Sequence, residues 1–364
     1  MMPLEGVEVV AIEQAVAVPF ASSRLADAGA HVVKIERPGG DFARGYDDVA
    51  QGQSSYFVWL NRGKESLTLD LAADADKHCL EKLLKKADVL IQNLKPGALA
   101  RLGFDPARLR RDYPDLIICS ISGYGGEGPM ADRKAYDLLI QAESGLCSIT
   151  GGPSEPARVG ISIVDIASGA TAHSAILEAL IRRQKTGQGA EINVSMFGVM
   201  ADWLSVPLLN HEGGRTPKRV GLAHPSIAPY GVFHPKSGGP ILISVQSDRE
   251  WVRLCHGFIG ASAYGTDPRF ATNVERVRHR EETDRLVAQA FAQYDAGQAV
   301  ALLSREHIAF ASVNDMDALA AHPQLRRITI DSPHGPISLP APGVEFAGEP
   351  RRYGPVPSLK PRKP

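Results

Sequence analysis

The sequence lacks the signatures of a metal centre, a membrane span and a nucleic-acid binder. Its four cysteines are widely separated, with no CxxC pair and no Cys/His cluster at the spacing of a zinc site. No apolar run approaches the ~20 residues that cross a bilayer. Forty Lys and Arg against 41 Asp and Glu leave a net charge of −1, which gives no electrostatic reason to bind nucleic acid or an anionic membrane. We therefore expect no metal, nucleic acid or membrane as a partner.

Two further absences narrow the class of protein. Residues 1–5 run directly into a strand pattern, without the basic and apolar regions of a signal peptide. The cysteines are typical of buried thiols in a reducing compartment, so we predict a cytoplasmic protein. The turn after the first strand, residues 13–19, contains no GxGxxG fingerprint, and a dinucleotide site of that type is not expected there.

What is present is a regular alternation of strand and helix. Apolar runs at residues 7–12 and 31–35 predict buried strands, and residues 20–28 between them have helical spacing that ends at Gly29. Further strand patterns lie at residues 87–93, 116–121 and 190–194. Because consecutive strand–helix–strand units build parallel sheets with covering helices, we predict an α/β fold.

The second half of the chain has a different pattern. A chain of 364 residues is too long for one ordinary core, and residues 213–219 have the composition of an exposed linker. A hairpin pattern follows at 231–245. Three helical patterns come next, at 249–259, 281–291 and 296–305. The predicted division is a large domain of residues 1–200 plus 327–364, a linker of residues 201–224, and a smaller α+β domain of residues 225–326.

The stretch from residue 159 to 195 is the best candidate for a functional centre. Apolar spacing places Asp165 where a helix begins. A carboxylate there can accept first-turn N–H bonds and is favoured by the helix dipole, so we expect Asp165 to be ionised at neutral pH. Gly169, one turn on, lets another backbone or a ligand come close. Asp is also among the commonest N-caps, and these features alone leave a purely structural role open.

Seven segments follow one another in an order that chance does not readily produce. They are GVEVVAIEQAVAVP, LADAGAHVVKIERPGGD, residues 61–71, ADVLIQNLKPGALARLGF, PDLIICSISGYGGEGP, AYDLLIQAESGL and the 159–195 stretch. In these the chain resembles the family III CoA-transferases, the group with formyl-CoA transferase and carnitine CoA-transferase, to which α-methylacyl-CoA racemase is related. The resemblance implies a Rossmann-like large domain with an inserted smaller α+β domain, and an intertwined homodimer.

The resemblance also implies a reaction. In that family the Asp at the helix start is the nucleophile, and by motif it falls on Asp165. Acyl-CoA and a carboxylic acid are then the substrates, with no permanently bound cofactor. CoA passes between them through mixed anhydrides and an aspartyl-CoA thioester. The oxyanions formed on the way need preorganised donors, which we expect from backbone N–H groups at the helix start or in a glycine-containing loop.

A surface for CoA follows from the same resemblance, because the phosphates of CoA require cations and backbone donors. Arg37 and Arg101 correspond to phosphate contacts, and Ala72 departs from a lysine found in some members. The implied set is Val16, Ala17, Arg37, Leu69, Ala72, Asn93, Leu94, Lys95, Arg101, Lys134, Tyr136 and Asp137. Gln14 and Glu13 lie in the first turn, where they either polarise the substrate or are exposed turn residues.

One departure from the family's patterns concerns the alternative reaction, racemisation. Racemases of this superfamily use a His just before the position matched by Asp137, paired with the Asp matched by Asp165. This chain has Tyr136 there. A tyrosine hydroxyl ordinarily ionises near pH 10, which is too high for proton shuttling at neutral pH. Racemisation is therefore the disfavoured alternative.

A second departure concerns the acceptor. The formyl-CoA transferase type has a run of glycines in the small domain, where this chain has GLAHPS at residues 221–226. We expect a larger acceptor, a short dicarboxylate such as itaconate, mesaconate or citramalate, with succinyl-CoA as the donor. Arg219 and His224, together with Lys218, are candidates to hold the distal carboxylate. A structural loop histidine explains His224 equally well.

Overall fold

The computed structural model describes residues 2–360. The sequence KPRKP at residues 360–364 predicts a basic, solvated tail, and its last four residues lie outside the described range. The chain packs as two compact units. The first contains the chain up to Cys147, Arg158–Leu209 and the chain from Arg326, and the second contains Ser148–Ala157 and Asn210–Leu325. Residues 148–157 thus lie in the second unit, although the sequence patterns placed them in the large domain.

A parallel sheet forms the centre of the first unit, as the strand patterns predicted. Its strands are β1 Glu8–Ile12, β2 His31–Glu36, β3 Lys64–Thr68, β4 Val89–Gln92, β5 Ile117–Ser122 and β6 Ala190–Ser195. They lie in the order β3-β2-β1-β4-β5-β6, and every neighbouring pair is parallel. The residues of β1, β2, β4 and β5 are mostly buried, which requires helices on both faces of the sheet.

The helices up to residue 212 lie between and after these strands. They are α1 Ala17–Asp27, α2 Ser55–Asn61, α3 Asp74–Leu84, α4 Ala98–Arg101, α5 Pro106–Asp112, α6 Asp137–Glu143, α7 Leu146–Ile149, α8 Ile163–Thr186, α9 Met196–Trp203 and α10 Ser205–Glu212. Val9 and Val10, neighbours in β1, belong to different apolar clusters. Val9 joins Leu25 of α1 and Ile176 of α8, whereas Val10 joins Leu80 of α3. The alternation of side chains across a strand therefore gives the unit two cores.

Two helix predictions need correction. The pattern at 98–109 predicted one helix, but the chain leaves α4 after Arg101 and passes through Gly103 at a φ of 95°, which right-handed helix excludes. Asp105 then caps α5 by accepting from Ala107 N at 2.7 Å. The predicted linker is the other case, because α10 occupies its residues 205–212.

The second unit has a small antiparallel sheet. Its strands are β7 Tyr230–Phe233, β8 Ile241–Ser244 and β9 Ala309–Ser312, in the order β7-β8-β9. Its helices are α11 Asp248–Leu254, α12 Asn273–Arg278, α13 Arg280–Phe291, α14 Ala296–Arg305 and α15 Met316–Ala320. The predicted hairpin and helical patterns are confirmed. Trp251, Phe258 and Phe291 lie in the core of this unit.

The C-terminal segment belongs to the first unit. Strands β10 Arg327–Ile330 and β11 Ile337–Pro340 pair antiparallel. Ile330 and Ile337 pack in one apolar cluster with Phe57 and Val58 of α2. Across residues 2–360 the structure contains no helix that is both long and apolar enough to cross a membrane.

Candidate active site

Asp165 lies in the first turn of α8, but a different residue caps that helix. Ser162 occupies the N-cap position without a side-chain hydrogen bond. The Asp137 carboxylate, at the start of α6, takes its place: Oδ1 accepts from the backbone N–H of Val164 at 2.7 Å and from that of Asp165 at 3.2 Å. Asp137 therefore fixes the backbone that carries Asp165.

This arrangement corrects the expected charge of Asp165. We expected its carboxylate to accept the first-turn N–H bonds and to be ionised at neutral pH. Instead, burial first and the negative charge of Asp137 second raise the pKa of Asp165 from 3.8 to about 7. The prediction was wrong because the N–H donors that would have stabilised the charge are bonded to Asp137. Asp165 is a carboxyl group that holds and releases a proton near neutrality.

Asp165 lines a cavity of about 590 Å³ in the first unit. The cavity lies beyond the carboxyl ends of β1, β4 and β5, where open α/β sheets usually bind ligands. Most of the residues predicted for the site line it. They are Gln14, Val16, Ala17, Asn93, Leu94, Lys95, Lys134, Tyr136 and Asp137.

Sequence reasoning missed an aromatic wall of the same cavity. Phe42, Tyr46 and Tyr56 line it, and the Tyr46 ring lies 5.6 Å from that of Tyr56 and 5.7 Å from that of Phe42. Burial, with the negative charges of Asp41 and Asp165 adding to it, raises the pKa of Tyr46 to about 12. Tyr46 therefore stays protonated and can act as a hydrogen-bond donor beside Asp165. The sequence signal for this aromatic wall is the recurrence of aromatic residues in the otherwise polar and irregular segment 41–56.

The first turn, between β1 and α1, is held on two sides. Asn93 accepts from Gln14 N at 3.1 Å and donates to Gln14 O at 2.8 Å. Asp41 Oδ1 accepts from Ala15 N at 3.2 Å, and Lys34 Nζ donates to Asp41 Oδ2 at 2.8 Å. These bonds hold Ala15 at a φ of 63°, a left-handed conformation that a residue with a Cβ rarely adopts.

Glu13 is neither an exposed turn residue nor a group that faces a substrate. It is buried, accepts from Lys64 Nζ at 2.7 Å and from Ser22 Oγ at 2.5 Å, and lies 3.4 Å from Lys34 Nζ. Burial opposes its ionisation, but the charges of Lys64 and Lys34 outweigh burial and lower the pKa of Glu13. Both expectations for Glu13 were wrong, and its role is to anchor the end of β1 beneath the turn.

The start of α1 is open. Val16 is its N-cap, with no side-chain cap. The N–H groups of Val16, Ala17 and Val18 meet no acceptor within residues 2–360, and Pro19 has no N–H. Gly169 brings this turn against α8, since a Cβ at Gly169 would lie 2.4 Å from Ala17 O. The expected close approach at Gly169 is confirmed, and a backbone makes it. Val16 and Ala17, whose N–H groups have no protein acceptor in the described chain, line the same cavity as Asp165.

The sequence matches the profile of CoA-transferase family III over residues 4–360. The chain belongs to this family. It is an enzyme with CoA-transferase activity, and CoA thioesters are its substrates.

Curated relatives of this CoA-transferase differ in their substrates. The succinate–glutarate CoA-transferase of Agrobacterium fabrum is 34% identical, with 94% of this chain and 88% of that protein covered. The acetyl-CoA:oxalate CoA-transferase of Acetobacter aceti is 35% identical, with 95% and 90% covered. Among solved structures, a CaiB/BaiF family protein of Brucella suis is 34% identical and superimposes with a TM-score of 0.82, covering 98% of this chain and 96% of that one. The α/β fold with its parallel sheet is therefore that of the family.

Four residues predicted for the CoA surface of the transferase do not line the cavity. They are Arg37, Leu69, Ala72 and Arg101. Arg37, Ala72 and Arg101 are exposed, whereas Leu69 is fully buried in the core and its N–H donates to Glu36 O at 2.8 Å. Their contacts with CoA stay predictions.

Arg219 and His224 belong to the second unit. The Arg219 guanidinium donates to the carbonyls of Ser148 at 3.1 Å, Gly152 at 3.1 Å and Pro153 at 3.4 Å. The His224 ring stacks on Tyr230 at 5.3 Å and its Nδ1 lies 3.1 Å from Ser226 N. These are the contacts of residues that shape a loop. Their part in binding a substrate carboxylate stays a prediction.

Proposed function

We propose that this CoA-transferase moves CoA from succinyl-CoA to a short dicarboxylic acid through covalent intermediates on Asp165. The observation that carries the proposal is the placement of Asp165. It is a largely buried carboxyl group that lines the same cavity as Val16 and Ala17 at the uncapped start of α1. A buried carboxylate of this kind is a nucleophile shielded from water.

The first half of the reaction loads CoA onto the enzyme. After Asp165 releases its proton, one carboxylate oxygen attacks the thioester carbonyl of the donor. The C–S bond breaks, leaving a mixed anhydride between Asp165 and the acyl group, and CoA departs as a thiolate. The thiolate then attacks the Asp165 carbonyl carbon of the anhydride. This forms an aspartyl-CoA thioester and releases the donor acid as its carboxylate.

The second half repeats these steps with the acceptor. The acceptor carboxylate attacks the aspartyl thioester, expels CoA thiolate and forms a second anhydride with Asp165. The thiolate attacks the acceptor's carbonyl carbon, which yields the new acyl-CoA and regenerates the Asp165 carboxylate. Over the whole cycle one thioester is broken and one is formed, so the exchange is close to thermoneutral, and no water or ATP enters.

The oxyanion donors in this scheme come from α1 and not from α8. Each attack places negative charge on a carbonyl oxygen, which preorganised N–H groups stabilise. The first-turn N–H groups of α8 are taken by Asp137, whereas those of Val16, Ala17 and Val18 are free of protein acceptors in the described chain. We therefore assign the oxyanion site to the start of α1.

Substrate charge favours a dicarboxylate. The acceptors named for the two relatives, glutarate and oxalate, each carry two carboxylates. In this chain Lys134 and Arg158 line the cavity and are exposed. Either cation suits a carboxylate that does not react. Succinyl-CoA as donor places one such carboxylate on the incoming thioester.

We also propose that the enzyme is a homodimer. Helix α10 buries none of its side chains, although it carries Leu208 and Leu209, and Trp203 at the end of α9 is 55% exposed. A short helix with an apolar face needs a partner surface to be stable. Because intertwined chains cannot separate without unfolding, Trp203→Lys with Leu209→Lys should lower the stability of the dimer to urea, while Val49→Lys, at an exposed valine outside these helices, should not. A wild-type enzyme that sediments as a folded monomer on dilution would refute the intertwined dimer.

Trapping the Asp165 thioester as a hydroxamate tests the catalytic proposal. The enzyme is incubated with succinyl-, acetyl- and glutaryl-CoA in turn, treated with hydroxylamine, digested and analysed by mass spectrometry. We expect a hydroxamate on the peptide that contains Asp165, formed most readily with succinyl-CoA. Asp165→Asn and Asp165→Ala should lose the adduct and roughly 10³-fold or more of kcat. Normal turnover in both variants would refute the proposal.

Acceptor specificity is measured with the same enzyme. Succinyl-CoA is held constant while itaconate, mesaconate, citramalate, glutarate and oxalate compete as acceptors, with butyrate as the monocarboxylate control. A preference for butyrate would remove the dicarboxylate assignment and leave the covalent mechanism intact. Incorporation of deuterium from D₂O at the α-carbon of an unlabelled 2-methylacyl-CoA, without transfer of CoA, would reveal the racemase reaction instead.

A further inference from the structure

Asp137 accepts hydrogen bonds from other protein groups through both of its carboxylate oxygens. Its Oδ1 accepts two N–H groups, those of Val164 and Asp165, and its Oδ2 accepts from Gln141 Nε2 at 2.6 Å. Gln141 is fully buried, and its Oε1 accepts from Val159 N at 2.9 Å. Asp137 and Gln141, on one face of α6, therefore hold both ends of the segment that leads into α8. Gln141 bonds its first residue, Val159, and Asp137 bonds Val164 and Asp165.

The same contacts place a negative charge beside Asp165. Of the groups around Asp165, Asp137 is the one whose charge opposes its ionisation, and burial acts in the same direction. Tyr46, Tyr56 and Tyr136 also line the cavity. The remaining charged side chains that line it are Lys95, Asp132, Arg133, Lys134 and Arg158, all exposed. Water screens those charges, whereas the carboxylate of Asp137 acts over a short and largely dry path.

We propose that Asp137 is a positioning residue that fixes the backbone of the nucleophile and, through its charge, sets the pH at which the nucleophile becomes reactive. This rests on the proposed role of Asp165. A capping carboxylate usually stabilises its helix through the dipole. Here the same carboxylate also disfavours a negative charge on Asp165.

Replacing Asp137 separates its two roles. Asp137→Asn keeps an oxygen that can accept the N–H groups of Val164 and Asp165 but removes the charge. Asp137→Ala removes both. A matched control is Glu143→Gln, which takes a carboxylate from the same helix, where it pairs with the exposed Arg133 at 3.2 Å.

The readout is the pH dependence of kcat with succinyl-CoA. In the wild-type enzyme kcat should fall as the pH drops through about 7, because Asp165 becomes protonated. In Asp137→Asn this acid limb should move down by about one pH unit, with kcat at pH 8 within about threefold of wild type. Asp137→Ala should show the same displacement and a further loss of about tenfold in kcat at pH 8, since the backbone is no longer held. Glu143→Gln should leave the profile in place.

The new amide N–H of Asp137→Asn faces Gln141 Nε2, which is also a donor, and this variant can fold poorly for that reason. Asp137→Asn with Gln141→Glu supplies an acceptor and moves the charge one residue further from Asp165. Its acid limb should lie between those of wild type and Asp137→Ala. This inference alone is overturned if kcat falls over the same pH range in the wild type, Asp137→Asn, Asp137→Ala and the double variant, while the Asp165 hydroxamate still forms. Absence of trapping in the wild type overturns the nucleophile and this inference together.

Discussion

Two helices begin at the same cavity, and their first turns are used in opposite ways. The start of α8 is closed: Asp137 accepts the N–H groups of Val164 and Asp165, so no ligand can use them. The start of α1 is open, with Val16 at the N-cap and no acceptor for its N–H groups within the described chain. In the proposed mechanism, one terminus holds the nucleophile still, and the other is left free for charge that exists only during the reaction.

The usual residue preferences for N-caps do not hold at these two helix termini. Ser162 is a good N-cap residue by type, yet its side chain makes no capping bond. Val16 is a poor one, and the helix it begins is left without a cap. Local preference is violated at both termini, and both lie at the cavity. Such violations are expected where function, and not stability, selects the residue.

Among the changes that test this contrast, the largest effect on kcat should come from moving α1 away from α8. Gly169→Ala places a Cβ 2.4 Å from Ala17 O and 3.0 Å from Phe20 Cβ, so α1 must move away from α8. Because the proposed oxyanion donors move with α1, we expect kcat to fall by about 10²-fold. Binding of free CoA should weaken by a smaller factor, since Val16 and Ala17 belong to the predicted CoA surface. Steady-state kinetics and calorimetric titration with CoA measure the two quantities.

A second glycine gives the control for that experiment. Gly160 lies shortly before α8, and a Cβ there would meet nothing within 4 Å. Gly160→Ala should therefore retain kcat. If Gly169→Ala were equally active, the start of α1 would not be the oxyanion site, and the contrast between the two termini would have no catalytic meaning.

The closed terminus has a cost in stability that can be measured. As pH rises from about 4 to 7, Asp165 ionises in the unfolded chain but stays largely protonated in the folded one, because its pKa is raised to about 7. The unfolded state thus releases more protons and gains stability relative to the folded state over that range. Asp165→Asn removes this penalty. It should stabilise the protein by on the order of 3 kcal/mol at pH 7, with a gain that shrinks toward pH 4.

Urea unfolding of Asp165→Asn and wild type at several pH values between 4 and 8 measures this difference. Asp132→Asn removes an exposed carboxylate from the lining of the same cavity and should change little at any pH. A stability gain that does not depend on pH would show that the amide improves packing and that Asp165 is ionised throughout.

The sequence predicted the sheet, most helices and the position of Asp165, because each depends on local periodicity or on an ordered set of motifs. The charge state of Asp165 could not be predicted in this way. It depends on Asp137, which is 28 residues away in the chain and competes for the same N–H groups. The partners of Glu13 were missed for the same reason, since Lys34 and Lys64 come from neighbouring strands that only the folded sheet brings together.

The turn that opens α1 is a further case. Nothing in the sequence around Ala15 indicates a left-handed residue, because alanine has no preference for it. The conformation is imposed from a distance by Asp41, which bonds Ala15 N, and by Asn93, which bonds Gln14. Tertiary contacts of this kind outweigh local preference, and they do so at the residues that lead into the open terminus.

The smallest effect should come from relieving that turn. Ala15→Gly removes the Cβ that a φ of 63° disfavours, at the cost of a more flexible unfolded chain. The two terms oppose each other, and we expect a gain in stability of no more than about 1 kcal/mol. Ala15→Val, with a branched side chain at the same φ, should lose about 2 kcal/mol. Opposite signs in urea unfolding would show that Asp41 and Asn93 hold the turn against its own preference. Equal losses in both variants would mean that the methyl group of Ala15 is needed for packing. The conformation at the start of α1 would then depend on that packing and not on the bonds from Asp41 and Asn93.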